Sequence, residues 1–313
     1  MTGQDVETVD VVIVGGGPAG LNAALTLGRA RKRVLLCDAG PPRNAAAEHI
    51  HGFVTRDGTP PREFRQIARE QLRPYGVQLR EARVEAVQTL ASGFQVVLQG
   101  AGAVSARRVL LATGMVDVLP DLPGFRELWG KSIFQCPYCH GWEVQGQAFG
   151  VLATQPPLLD FALFLTGWSP HITVFTEQRF ELPPEQRERL LRAGVQLEER
   201  RIRRLLPGAE DGARAGLLEA VELEDGTRVA REVLFAPPPQ QQSRVVQQLG
   251  LALDELGCVR VNAHYETSIP GIYAAGDLTT RLQGAVIAAA AGCAAASMLN
   301  HALNLESAEH GSR

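Results

Sequence analysis

The stretch from Val9 to Arg29 restricts the fold more than any other part of the chain. Val9 to Val14 (VDVVIV) is a β-branched run that reads as a buried parallel strand. It runs directly into Gly15-Gly16-Gly17-Pro18-Ala19-Gly20, and the Ala/Leu-rich helical stretch Leu21 to Arg29 follows. The spacing is G-x-G-x-x-G. Gly15 suits the tight turn, Gly17 admits a pyrophosphate to the backbone, and Gly20 lets helix and strand pack closely. The helix N-terminus, with Pro18 and Ala19 in its first turn, then faces the anion with backbone N–H groups. A second strand ends at Asp38, the acidic position that would bind an adenosine ribose. Strand, glycine turn, helix and strand together predict an α/β fold with a dinucleotide site at its start.

The second constraint is chemical. Cys136-Pro137-Tyr138-Cys139-His140 is a C-x-x-C with a histidine directly behind it. Two cysteines at this spacing close a small disulfide that opens readily, and one thiolate of such a pair usually has a lowered pKa and attacks. The alternative is half of a zinc site, which needs two further ligands at metal spacing. Cys37, Cys258 and Cys293 stand alone and no H-x-x-x-H accompanies the pair, so the spacing favours redox chemistry and no metal. Cys37, on an apolar strand, reads as a small buried residue, and Cys258 and Cys293 read as structural.

At 313 residues the chain has room for two domains with separate cores. A net charge of −3 makes no electrostatic case for nucleic acid or a membrane surface. Met1 to Asp10 is polar and acidic, unlike a signal peptide. Ala285 to Ala296 is Ala-rich but short for a bilayer, so it reads as a buried helix and no membrane span is expected. His301 to Arg313 reads as a fraying polar tail. Few cysteines and no export signal place the expected site of action in a reducing cytoplasm.

Two later stretches indicate which dinucleotide is bound. Arg108 to Gly114 (RVLLATG) is a strand ending in A-T-G, and Thr267 to Asp277 (TSIPGIYAAGD) is a strand ending in G-D. With the cysteine pair, and in this order, they resemble the flavin-dependent pyridine nucleotide–disulfide oxidoreductases, over nearly the whole chain the low-molecular-weight thioredoxin reductases. The resemblance implies an α/β fold of two Rossmann-like, doubly wound domains. Residues 1–117 and 241–313 would form a discontinuous FAD-binding domain, and 118–240 an NAD(P)-binding-like domain carrying the C-x-x-C. It implies FAD at the first fingerprint, with Thr113, Gly114, Gly276 and Asp277 beside it, Asp277 on the ribityl chain and Gln283 near the flavin pyrimidine. Arg43, Asn44 and His51, in the irregular segment after Asp38, are candidate flavin contacts, and Val84 a backbone contact to adenine. Residues 77–88 and 94–98 would supply a small inserted sheet. The P-R-N and H-G-F spellings and His140 are similar to a subgroup that includes dithiol oxidases of antibiotic biosynthesis. By the same resemblance Cys139 is the cysteine facing the flavin, Cys136 exchanges with substrate, and the protein is a homodimer.

The second domain lacks the expected second fingerprint. Before the helix Phe161 to Thr166, the glycine positions are occupied by Ala153, Thr154 and Gln155, and Pro156-Pro157 follow. Side chains there stand where a pyrophosphate must touch backbone, and prolines remove N–H donors. After the next strand comes Thr176-Glu177-Gln178-Arg179, where the resembled reductases carry a basic cluster for the 2′-phosphate of NADPH. Glu177 would repel that group. The expectation is an FAD enzyme that does not use NADPH efficiently.

Its partner would be a thioredoxin-like protein or a small dithiol or disulfide, with ferredoxin or oxygen at the other end of the electron path. His140, at an ordinary near-neutral pKa, would carry the proton. A flavin-bearing redox sensor without turnover and an ordinary NADPH reductase remain as alternatives. Arg200 to Arg204 (RRIRR) reads as a solvated run on a strand edge or a docking point for an acidic protein.

Overall fold

The computed structural model describes residues 7–309, so the first six residues of the polar start and the last four of the tail lie outside the described residues. The chain forms two compact units. One holds residues 7–45, 52–116 and 240–309; the other holds Ala46–His51 and Asp117–Pro239.

The first unit begins with β1 (Thr8–Val14), α1 (Pro18–Arg29) and β2 (Val34–Cys37), followed by α2 (Pro61–Leu72), β3 (Gln78–Arg80), β4 (Val84–Thr89), β5 (Phe94–Leu98) and β6 (Gly102–Leu111). The strands order as β3-β2-β1-β6-β5-β4. β1 pairs in parallel with β2 and β6, while β4–β5 and β5–β6 are antiparallel. The strands expected as a separate small sheet are therefore part of the main one. β6, ten residues long, is the reason: its first half pairs with β5 as well as β1. β1 is buried on both faces. Val12 and Val14 enter one core and Val11 and Ile13 the other, as the two-residue side-chain period requires.

β7 (Met115–Asp117) leads out of this unit. The second unit contains α3 (Phe125–Leu128), β8 (Ile133–Phe134), α4 (Pro137–His140), β9 (Phe149–Leu152), α5 (Pro157–Leu165), β10 (Ile172–Phe175), α6 (Pro184–Arg192), β11 (Gln196–Glu198), β12 (Ile202–Pro207), β13 (Leu218–Leu223), β14 (Arg228–Ala230) and β15 (Val233–Phe235). A parallel sheet of order β11-β10-β9-β15-β8 forms its centre, and β12-β13-β14 make a separate antiparallel sheet.

The chain returns through β16 (Gln240–Gln242), α7 (Arg244–Leu249), β17 (Ile272–Ala274), which pairs in parallel with β6, and α8 (Ala285–Glu309). The expected helix end near Ala296 and the fraying from His301 are both corrected, because α8 continues to Glu309. Leu299 and Leu303 prolong the buried stripe of Ala288, Gly292 and Ala295 at three- and four-residue steps, and Glu306 pairs with Arg107 and Arg108 of β6 at 3.2 and 2.8 Å. By length and composition α8 is one helix able to cross a membrane. Its small-residue face packs on α1 instead: a Cβ at Gly292 would stand 2.0 Å from the Ala19 carbonyl oxygen.

Candidate functional site

The glycine turn closes the C-terminal edge of three parallel strands. Gly15 takes φ +113°, and a Cβ there would meet the Ala112 oxygen at 2.2 Å. A Cβ on Gly20 would meet the Gly15 oxygen at 1.8 Å, which forbids any side chain between helix and turn. Gly17 has nothing within 4 Å of a built Cβ, so its face is open to a ligand. Pro18 opens α1, where its missing N–H costs no helical hydrogen bond. Thr113 and Gly114 follow Ala112 at the end of β6. A Cβ on Gly276, beyond β17, would stand 2.9 Å from the Ala19 Cβ. The fingerprint, the A-T-G and the G-D thus converge, although the last is far away in sequence.

Around this turn the polar side chains are tied together. Asp277 accepts a hydrogen bond from Arg43 at 3.2 Å, and the same guanidinium donates to Gln283 at 2.6 Å. Gln283 also exchanges bonds with Gln240 at 2.9 and 3.1 Å. Asn44 is half-buried in the same short turn as Arg43. Val84 puts its side chain into the core at the start of β4, opposite Leu98.

Asp38 is buried and meets two arginines that sequence reasoning missed. Arg65 pairs with its Oδ2 and donates through Nε to the Gly16 carbonyl at 3.2 Å; Arg69 reaches the same Oδ2 at 2.8 Å. Both stand on α2, one turn apart, so their four-residue spacing was the available signal. Gln240 carried none.

His51 stands beside a carboxylate. It belongs to the second unit, 3.5 Å from the Glu143 carboxylate. The stretch 46–51 packs there through the buried Ile50, and a Cβ on Gly130 would stand 2.6 Å from the Ala46 Cβ.

Cys136 and Cys139 form a disulfide with their Cα atoms 5.3 Å apart. Cys136 caps the single turn α4 in extended conformation, with Pro137 pre-set for the first helical position. His140 stacks on Phe134 with centroids 4.2 Å apart and planes 10° from parallel. Both its ring nitrogens are buried, with no hydrogen-bond partner among the described residues. Burial pushes its pKa down to about 4, with His51 lowering it further and Glu143 raising it. The expected near-neutral histidine is thus corrected to one that is neutral at neutral pH while the disulfide is closed. Burial likewise pushes the Cys37 thiol up to about 11 and raises that of Cys258, which keeps both unreactive. Among the described residues no three His, Cys, Asp or Glu side chains are grouped to hold a metal ion.

In the second unit, Ala153, Thr154 and Gln155 form the turn between β9 and α5. Ala153 is fully buried, its N–H donating to the Phe175 carbonyl at 2.9 Å, and Pro156 and Pro157 open the helix. Beyond β10, Glu177 and Gln178 both adopt positive φ, +52° and +55°. This turns the Glu177 carboxylate inward, where it accepts the Ile202 N–H at 3.1 Å and pairs with Arg179 at 2.7 Å.

An open glycine turn at the ends of parallel strands, with a C-x-x-C disulfide in a second α/β unit, defines a dinucleotide-dependent disulfide oxidoreductase. The chain belongs to the pyridine nucleotide-disulphide oxidoreductase family, whose model matches residues 9–152 and 177–292. It is 34% identical over 281 residues to thioredoxin reductase tcpT of Claviceps purpurea, covering 86% of each chain. With thioredoxin reductase sirT of Leptosphaeria maculans it shares 33% over 307 residues and 93% of each chain. Among solved structures it is similar to the crystal structure of HlmI (38% identity, 97% of this chain and 96% of that one, TM-score 0.90). An oxidoreductase from Agrobacterium tumefaciens follows at 35% identity, 95% and 99% coverage and TM-score 0.87. The protein is an FAD-dependent disulfide oxidoreductase of the thioredoxin-reductase type, with the two-domain fold of the low-molecular-weight enzymes.

Proposed function

We propose that this enzyme oxidises a dithiol through Cys136–Cys139 and its FAD without a nicotinamide dinucleotide in the second unit. The observation that carries the reading is the filled turn there. Ala153 and the two prolines stand where backbone N–H groups would cradle a pyrophosphate, and the inward Glu177 leaves a carboxylate where a 2′-phosphate would need guanidinium groups. That turn does not fit NADPH.

The chemistry then belongs to the pair. A substrate thiolate attacks Cys136 Sγ, the Cys136–Cys139 bond breaks, and Cys139 leaves as thiolate. The second substrate thiol attacks the mixed disulfide and releases the substrate as a disulfide, with Cys136 reduced. Two electrons and two protons have left the dithiol. A thiolate on Cys139, next to His140, raises the proton affinity of the imidazole, so His140 is neutral with the pair closed and takes a proton as it opens. Gly15, Gly17, Gly20, Asp38, Arg43 and Asp277 are the residues assigned to hold FAD, which supplies the two-electron acceptor for the pair, with oxygen as the proposed final acceptor. The working form is a homodimer in a reducing cytoplasm.

One observation favours a second reading with the opposite electron direction. The buried Glu222 carboxylate gathers Arg203, Arg204 and Arg228 at 3.7, 3.0 and 3.4 Å, a net positive face suited to an acidic electron carrier such as a ferredoxin, which would then drive reduction of a thioredoxin-like disulfide. Anaerobic titration of the flavin absorbance separates the cases. Bleaching by a dithiol but not by NADPH or NADH, with recovery in air, is expected. Bleaching by NADPH at a catalytic rate would make this an ordinary reductase and sink the proposal.

A further inference from the structure

The exchange chemistry puts a proton on a ring that is closed to water. His140 follows Cys139 directly, stacks on Phe134 of β8 and has both ring nitrogens buried. The titratable groups that face it are Cys136 and Cys139 on its own turn, Glu143 three residues on, and His51 from the 46–51 stretch. Phe134 brings no charge. Glu143 raises the proton affinity of the ring and His51 lowers it. These two also meet each other, His51 Nε2 lying 3.5 Å from Glu143 Oε1, with the His49 ring 5.9 Å from that of His51. The Glu143 side chain is 41% exposed and that of His51 19%, so the pair leads from the buried ring to solvent.

The loop that carries Glu143 is held in place. The Gly141 N–H donates to the Pro137 carbonyl at 2.6 Å and the Gly146 N–H to the Trp168 carbonyl at 2.9 Å. The Tyr138 ring meets Phe164 at 5.7 Å and stands edge-on to Trp168 at 5.6 Å. Oxidation of a dithiol leaves two electrons on the cysteines and frees two protons. One remains on Cys136 as its thiol, and His140 takes the other as the second substrate thiol attacks. A buried imidazolium is costly without an anion, and its proton has to be handed on before the next dithiol reacts. Such a transfer needs an acceptor within hydrogen-bond reach, directly or through one water. Glu143 combines a carboxylate that acts on the ring with an end in solvent.

We propose that Glu143 is the proton outlet of the cysteine pair: it accepts the proton from His140 and releases it to water, while His51 holds the carboxylate in place. Both act through His140 and are positioning residues for the exchange. The proposal rests on the cysteine pair being the exchange site and gives the freed proton its route. In the added step an imidazolium N–H bond breaks, the Glu143 carboxylate gains the proton as O–H, and water then takes it. No electrons move.

The test follows sulfur and proton together. The oxidised holoenzyme, in weakly buffered solution, is mixed anaerobically with dithiothreitol. Cresol red absorbance reports the released proton, and samples trapped with N-ethylmaleimide report the two added labels by intact mass. In the wild type the dye and the labels are expected to change at one rate. In Glu143→Gln the dye should trail the labels about tenfold, a modest share of what a positioned proton acceptor contributes. The pH profile of opening should also move to lower pH, because the ring has lost the anion that favours its charged form. Glu143→Asp should restore the coupling, His51→Gln should show a smaller lag, and added imidazole should speed opening in Glu143→Gln while leaving the wild type unchanged. Glu143 is exposed, so these variants should melt with the wild type. Dye and labels running together in Glu143→Gln overturn the proposal. So does a slow Glu143→Gln enzyme with an unmoved pH profile and no gain from imidazole, which is the mark of a structural role. If dithiothreitol adds no labels to the wild type, the exchange reading falls and takes the outlet with it, a result distinct from opening without a lag.

Discussion

Asp38 shows how one residue's role depends on neighbours that its own motif does not name. The fingerprint predicts a carboxylate at the end of β2. Only the fold shows Arg65 and Arg69 upon it, with Arg65 also bracing the Gly16 carbonyl. Replacing Asp38 with Asn removes the carboxylate that Arg65 and Arg69 share, and Arg69 keeps only the exposed Glu81 at 3.0 Å, a loss of about 3 kcal/mol. Asp38→Asn should therefore unfold at lower urea and retain less FAD on purification, read from the flavin-to-protein absorbance ratio. His140 gives a pH prediction. Its folded pKa is pushed below the ordinary histidine value, so the unfolded chain binds the proton first as pH falls. The stability present above about pH 6.5 is then lost progressively toward pH 4. A His140→Gln variant should lose less stability between pH 7 and 5 than the wild type in parallel melts, and equal losses would remove His140 from the acid sensitivity.

At the scale of elements, the contact between α1 and α8 shows packing that no local pattern announces. Gly20 was readable because its turn is encoded by the residues next to it. Gly292 was not, since the atom that excludes its side chain, the Ala19 oxygen, is brought there only by the fold. Adding a methyl group at Gly292 must separate the helices, and overpacking of this kind costs about 1–3 kcal/mol. Gly292→Ala should lower the melting temperature by several degrees and loosen FAD, while Gly284→Ala, with only Ile287 Cδ1 nearby at 3.7 Å, should have a small effect. α8 also ran beyond its expected end, because Leu299, Leu303 and the Glu306 ion pairs earn the extra turns by tertiary contact. Helix propensity alone would have left that tail undecided.

For the whole molecule, the state of the five cysteines is a single count that checks the arrangement. Cys37 and Cys258 are buried, Cys293 is exposed, and Cys136 and Cys139 are joined. The native oxidised protein should take up one maleimide, three after mild reduction, and five after unfolding with reductant, as read by mass. A native count above one would contradict the burial. The sequence by itself determined the parts whose requirements are local: the glycine turn with its open Gly17, the cysteine pair, and the side chains and prolines that occupy the second turn. Each depends on the conformation of a few consecutive residues, so identity and spacing were enough. Tertiary structure alone decided which distant groups share a site. It placed Arg65, Arg69 and Gln240 in the first unit, His51 against Glu143 in the second, and Tyr138 on Phe164 and Trp168. It also lowered the pKa of His140. Those outcomes depend on burial and on distances between segments far apart in the chain, and residue spacing carries neither quantity.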